Sequence, residues 1–284
     1  MRGYNGLIDG DVVEMSLRSV SDIIHRGGTI LYTARSPLFK TEEGQKLAVE
    51  NCRKFGIEGI AVIGGDGSFR GAADLTSRGI NCVGLPGTID NDISATEYTI
   101  GFDTAMNTAT EMVDKLRDTT QSHDRCSVVE VMGRACGDIA LWSAMTAPAD
   151  IVLTPESPRD WGEAASQLMH NKLMGRFTSM VIIAEGAGKA EDFAKFVQEH
   201  TDVEIKPVVL SYIQRGGAPT AADRMLATRL GARAVELIHE GVRNRALGIH
   251  DNHIVDVDIK DSTSHNENYD QSLYELHSKM NRIY

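Results

Sequence analysis

The run Ile60-Ala61-Val62-Ile63-Gly64-Gly65-Asp66-Gly67-Ser68 carries the reading that decides the fold. Consecutive apolar residues suit a strand covered on both faces, as in a parallel sheet. The glycines that follow permit tight backbone paths and let N–H groups approach a ligand closely. The stretch from about Ser68 to Ser77 then reads as a helix, and a helix N-terminus favours phosphate. Asp66 in such a loop would repel phosphate unless a divalent cation accompanied it. Mg²⁺ is commonly held by one or two carboxylates together with substrate phosphates. A plain strand-to-helix turn with Asp66 as N-cap accounts for the same residues, so the loop alone leaves both readings open.

Outward from this run the pattern repeats. Thr29–Tyr32 reads as a strand, and Glu42–Phe55 as a helix with Leu47, Val49 and Cys52 inward. Asn81–Leu85, Cys126–Met132, Asp150–Leu153, Ser179–Ala184 and Val208–Leu210 are strand-like. Between them, helices are expected from Phe102 onward, at Asp138–Met145, at Trp161–His170 and at Glu191–His200. A long helix over about Thr220–Glu240, an acidic strand-like Ile254–Ile259 and a closing helix over about Tyr269–Met280 follow. Strands alternating with helices at this spacing mean βαβ units and parallel sheets, so the fold class is α/β, arranged as two lobes.

Composition narrows the function. The 284 residues hold 42% hydrophobic and 24% charged residues, as a folded chain should. Asp and Glu outnumber Lys and Arg by 40 to 29, for a net charge of −11. That balance argues against nucleic acid and against an anionic membrane as partners. No secretory signal and no apolar run of about 18 residues is visible. Cys52, Cys82, Cys126 and Cys136 form no Cys-x-x-Cys pair and read as buried free thiols of a reducing compartment, so a cytoplasmic location is expected. His123, His170 and His200 show no metal-ligand spacing, and Trp142 and Trp161 read as packing residues.

A second strand end, Pro86-Gly87-Thr88-Ile89-Asp90-Asn91-Asp92, places two carboxylates two positions apart. A general base for a hydroxyl with a metal-linked partner would explain them, and so would a polar loop of Asx turns. Parallel-sheet geometry puts this loop and the Gly64–Ser68 loop on the same sheet edge, where doubly wound folds bind ligands. Two familiar nucleotide motifs fail. The third glycine of a dinucleotide fingerprint falls one place late, at Gly71, and Gly188-Lys189 lacks the upstream glycine of a P-loop.

Gly64-Gly-Asp-Gly-Ser68, Pro86-Gly-Thr-Ile-Asp-Asn-Asp92, Tyr98-Thr-Ile-Gly-Phe-Asp103, Val131-Met-Gly-Arg134 and Ile213-Gln-Arg-Gly-Gly217 occur in that order. Together they closely resemble the bacterial ATP-dependent 6-phosphofructokinases, from Gly3-Tyr4 to the C-terminus. The resemblance implies two Rossmann-like three-layer α/β/α lobes. Residues 1–101 with 214–264 would bind nucleotide, and 102–213 with 265–284 would bind fructose 6-phosphate. It also implies transfer of the ATP γ-phosphate to the sugar 1-hydroxyl, the committed step of glycolysis. The alternatives are a catalytically impaired fragment, a non-enzymatic ligand-binding paralogue, or a pyrophosphate-dependent enzyme.

Position by position, the resemblance makes Asp90 the general base and gives Asp66 the Mg²⁺ on ATP, with Asp92 contributing. Thr88 would contact the transferring group, with Arg35 and Arg134 answering its charge. Tyr4, Arg35, Lys40, Gly65, Asp66, Gly67 and Ser68 would form the nucleotide site. Thr88, Arg125, Met132, Gly133, Arg134, Glu185, Lys206, Tyr212 and Arg215 would bind the sugar phosphate. Arg125 and Lys206 would reach a neighbouring subunit of a homotetramer. Arg117, Asp150 and Arg176 match an effector site for ADP or phosphoenolpyruvate. Pyrophosphate-dependent relatives usually carry Asp and Lys where this chain has Gly67 and Gly87, so ATP is the expected donor.

The chain also departs from the pattern. The family's opening strand, Gly-Gly-Asp-x-Pro-Gly-x-Asn loop and helix, about 30 residues, have no counterpart, which suggests a fragment or a wrong start. Their loss should leave unpaired backbone groups and a slot in the first core. Tyr212 stands for a common His, Ser211 for Gly, Lys206 for Arg, and Leu17, beside Arg18, for an effector arginine.

Overall fold

A strand with apolar side chains on both faces needs helices on each side, and the computed structural model of the chain builds two such sandwiches. It describes residues 1–263 and 269–281. In chain order the elements are α1 (Tyr4–Asp9), α2 (Glu42–Lys54), β1 (Gly59–Gly64), α3 (Asp66–Ser77), β2 (Asn81–Pro86), α4 (Phe102–Ser122) and β3 (Cys126–Val131). Then come α5 (Asp138–Thr146), β4 (Ile151–Leu153), α6 (Trp161–Leu173), β5 (Ser179–Ala184), α7 (Ala190–His200) and β6 (Ile205–Val209). A 3₁₀ turn over Ser211–Arg215, α8 (Ala221–His239), β7 (Arg245–His250), β8 (His253–Asp258) and α9 (Gln271–Met280) complete the order.

Two compact units result. Met1–Thr88, Ile93–Gly101 and Gly217–His265 form the first, and Ile89–Asp92, Phe102–Gly216 and Asn266–Tyr284 the second. Residues 89–92, expected with the first lobe, and 214–216 therefore belong to the second. Ile89 supplies the reason, because its side chain packs into the second unit's core.

The first unit's sheet runs β1-β2-β7-β8, with β8 antiparallel to β7 and the other neighbours parallel. On one face, Ile60, Val62 and Cys82 meet Ala48, Val49 and Cys52 of α2 and Phe69, Ala72 and Leu75 of α3. On the other, Val83, Leu85, Leu247 and Ile249 meet Leu226, Leu230, Ala234 and Leu237 of α8. The second unit's sheet runs β4-β5-β3-β6, all parallel. Its strands alternate with period two. Val129, Val131, Met180 and Ile182 face a core shared with α4 and α5, while Val128, Val181 and Ile183 face one shared with α6 and α7. Trp142 packs edge-on to Phe102, and Trp161 edge-on to Phe193 and Phe196. All four cysteines are buried and none forms a disulfide. Burial pushes their thiols up, Cys82 to about 12, which keeps them protonated and inert.

Several local expectations give way. Thr29–Tyr32 is no strand. Tyr32 takes φ 56, which breaks an extended path, and the run stays exposed. Leu47 is exposed because the buried stripe of α2 runs through Gln45, Ala48, Val49 and Cys52. Ile63 is 65% exposed although its neighbours are apolar. It lies on β1, the outer strand of its sheet. β7 escapes the periodicity because Gly248 interrupts it. A Cβ there would meet the Ala95 carbonyl oxygen at 2.0 Å, so packing forces the glycine.

Phe193 is fully buried between α6 and β5. Phe193→Ala should cost about 3–5 kcal/mol, read as a lower urea midpoint for the second unit. His277 is buried with Nε2 2.9 Å from the Ala149 carbonyl, and burial holds its pKa below the usual 6.5. The unfolded chain then binds a proton that the folded chain refuses, so this contribution is present above pH about 6.5 and lost as pH falls below it. The melting temperature should drop between pH 7 and 5, and His277→Gln should flatten that drop.

Candidate active site

In the first unit the site residues gather where β1 and β2 end. Gly64 pairs with Pro86 in parallel register, and the Gly87 N–H donates to the Gly64 carbonyl at 3.0 Å, so both loops leave the same sheet edge. Gly64 cannot carry a side chain, since a Cβ would lie 2.3 Å from the Ser68 hydroxyl. Gly65 caps α3, and a Cβ there would touch Thr88 at 3.4 Å, while a Cβ on Gly67 would meet nothing within 4 Å. Asp66 is the first residue of α3 rather than its N-cap. Its carboxylate accepts from Arg70 Nε at 3.0 Å and pairs with Nη2 at 2.7 Å.

Tyr4 turns inward. Its ring stacks on Phe39 at 4.1 Å and its hydroxyl donates to the Ser68 carbonyl at 2.5 Å, so it supports the glycine loop from behind. Burial pushes its pKa up. Lys40 ends the short turn that carries Phe39 and is exposed. Arg35 is exposed as well, with its carbonyl accepting from Asn5 at 3.4 Å. The structure thus brings Tyr4, Gly65, Ser68 and Thr88 together around the loop, and leaves the Arg35 and Lys40 heads in solvent.

In the second unit another group of site residues gathers at the strand ends of β3, β5 and β6. Asp90 is 1% exposed, and Arg134 Nε lies 3.0 Å from its carboxylate. The same guanidinium lies 3.9 Å from Asp92. A carboxylate this buried needs such an answer to its charge. Arg134 adopts φ 53, next to Gly133 at φ 132, where a Cβ would strike the Cys136 carbonyl at 2.4 Å. Glu185 follows β5, its N–H tied to the Val131 carbonyl at 2.9 Å. Its Oε1 accepts from the N–H groups of Gly133 and Arg134 at 3.2 and 2.9 Å, so one oxygen shapes the Met132–Arg134 turn. Gln214, unnoticed in the sequence though it sits inside a quoted motif, is buried and accepts from the Met132 N–H at 3.3 Å.

Arg125 and Lys206 converge on one partner. Their cationic heads lie 3.6 and 3.3 Å from Glu204 Oε1. Tyr212 and Arg215 are exposed on the 3₁₀ turn that packs against α4. Among the effector candidates, Arg176 pairs with Asp150, whose other oxygen accepts from the Met180 N–H at 2.8 Å. Arg117 donates to the carbonyls of Ala147 and Pro148. Among the described residues, no group of three or more His, Cys, Asp or Glu is arranged to hold a metal ion. No helix among the described residues is long and apolar enough to cross a membrane.

Known proteins share much of this sequence and its fold. An ATP-dependent 6-phosphofructokinase of Clostridium tetani is 53% identical over 275 residues, covering 97% of this chain and 86% of that protein. One of Bacillus pumilus is 52% identical over 278 residues, covering 98% and 87%. The solved phosphofructokinase of Saccharomyces cerevisiae superposes with a TM-score of 0.87 at 30% identity, covering 97% of this chain and 45% of that one. A pyrophosphate-dependent phosphofructokinase of Marinobacter aquaeolei, at 21% identity and TM-score 0.80, shares the fold. The family model described as Phosphofructokinase matches residues 1–238, and with half its residues identical to those relatives the chain belongs to the phosphofructokinase family.

Proposed function

We propose that the chain transfers the γ-phosphoryl group of ATP to the 1-hydroxyl of fructose 6-phosphate, giving fructose 1,6-bisphosphate and ADP. The observation that carries this is the buried Asp90 carboxylate held 3.0 Å from Arg134, in a chain about half identical to ATP-dependent 6-phosphofructokinases. Asp90 takes the hydroxyl proton as the sugar oxygen bonds to the γ-phosphorus and the bond to the β-γ bridging oxygen breaks. Arg134 then answers the phosphoryl charge, with Arg35 and Thr88 assisting. Asp66, with Asp92, would hold the Mg²⁺ that neutralises charge on the nucleotide phosphates.

The sugar site follows from the second unit. Glu185 keeps Oε2 for sugar hydroxyls while Oε1 holds the turn, and the backbone of Met132 and Gly133 lines the same place. Arg125, Lys206, Tyr212 and Arg215 take the 6-phosphate. In a homotetramer Arg125 and Lys206 serve a neighbour's site, and their shared hold on the exposed Glu204 is easily surrendered to a phosphate. An acidic effector such as ADP or phosphoenolpyruvate would compete with Asp150 for Arg176, near Arg117. Buried thiols outside any disulfide suit the cytoplasm. A silent paralogue or a pyrophosphate-dependent enzyme is not favoured. Asp90 and Arg134 are intact, and the space beside Gly67 is open, which suits the larger nucleotide.

Asp90→Asn should lower kcat by about 10²–10⁴-fold with the KM for fructose 6-phosphate little changed, measured by ADP release. A variant retaining full kcat would remove Asp90 as the base. Turnover with ATP should exceed turnover with pyrophosphate, and Gly67→Asp should selectively lower kcat/KM for ATP. Faster turnover with pyrophosphate would reverse the donor assignment.

A further inference from the structure

Between Asp90 and Asp92 stands Asn91, 3% exposed, with φ 53. That left-handed conformation is uncommon for a residue with a Cβ, although asparagine tolerates it best. Its side chain reaches the start of α5. Nδ2 donates to Asp138 Oδ2 at 2.7 Å, and Asp138 is itself only 4% exposed. The Asn91 carbonyl accepts from the Cys136 thiol at 3.9 Å. Asp138 opens α5, whose Ile139, Ala140, Leu141 and Ala144 are locked into the core. The preceding Gly137 is fixed as well, its N–H donating to Glu156 at 2.7 Å. The anchor therefore rests on a rigid helix end.

We propose that Asn91 and Asp138 are positioning residues, their buried hydrogen bond holding the left-handed turn that sets Asp90 and Asp92 against Arg134. The inference rests on the reading of Asp90 as the general base. The geometry explains the roles of three consecutive residues. The two carboxylates lie 3.0 and 3.9 Å from one guanidinium, while the residue between them is tied to Asp138. A buried amide and a buried carboxylate are costly unless they satisfy each other, so the pair strongly specifies one arrangement of the turn. Releasing it would let Asp90 drift by an ångström or so, enough to cost about 10²-fold in rate.

The test compares Asp138→Ala, Asp138→Asn, Asn91→Gly and the double variant Asn91→Gly/Asp138→Ala with the wild-type chain. Glycine takes the left-handed turn without strain, and an asparagine at 138 still offers an acceptor oxygen. Asp138→Ala and Asn91→Gly should each lower kcat by about 10–100-fold, with the KM for fructose 6-phosphate within about threefold. The double variant should be no slower than the slower single one, because both remove the same bond. Asp138→Asn should recover most of kcat. Folded single variants with wild-type kcat, losses that multiply in the double variant, or an Asp138→Asn as slow as Asp138→Ala would each overturn the proposal. Should Asp138→Ala fail to fold, Asn91→Gly and Asp138→Asn decide alone. A crystal structure of Asn91→Gly reads the turn independently of activity: a displaced Asp90 carboxylate supports the proposal, and an unmoved one overturns it. A wild-type chain that does not phosphorylate fructose 6-phosphate would instead sink the functional reading.

Discussion

Parallel strands covered by helices on both faces leave one place where polar side chains can meet a ligand: the loops at the strand ends. In the second unit β3 and β5 are buried along their whole length, and Val131 is in register with Ala184. The residues that follow, Met132–Arg134 and Glu185, are therefore delivered side by side by the ladder itself. In the first unit the pairing of Gly64 with Pro86 does the same for the glycine loop and Thr88. The sites are consequences of register, and the register is a consequence of burying two apolar faces at once.

Within that frame, charge is distributed sparingly. The chain carries a net −11, yet two of its carboxylates, Asp90 and Asp138, are nearly inaccessible. Each is made tolerable by a specific partner, Arg134 for the first and the Asn91 amide for the second. Burial still pushes the pKa of Asp138 up, against the opposing pull of those hydrogen bonds. Partners of this kind restrict geometry as well as answering charge, which is what phosphoryl transfer asks of its surroundings.

Much of this was legible in the residues. Continuously apolar strands such as Ser179–Ala184 and the helical spacing after Phe102 correspond closely to observed elements, because apolar runs and local periodicity report burial. The carboxylates and glycines of the loops stood out by type and spacing. Illegible were features that depend on a distant neighbour. Thr29–Tyr32 looks like a strand but follows a turning backbone, Leu47 misses the buried stripe of its helix, and β7 hides behind a glycine required by a carbonyl far along the chain. Gln214 and Asp138 carry no local signal either, since an isolated Gln or Asp is usually solvated.

The sequence by itself determined the alternation of strands and helices, the chemistry available at each strand end, and the kinship of the chain, because these depend on residue type and short spacing. Only the tertiary structure decided that residues 89–92 join the second unit, that Asp90 is answered by Arg134, and that Asn91 is tied to a residue 47 positions away. Those contacts arise when whole sheets and helices pack, and packing between elements distant in the chain leaves no period in the sequence from which it could be read.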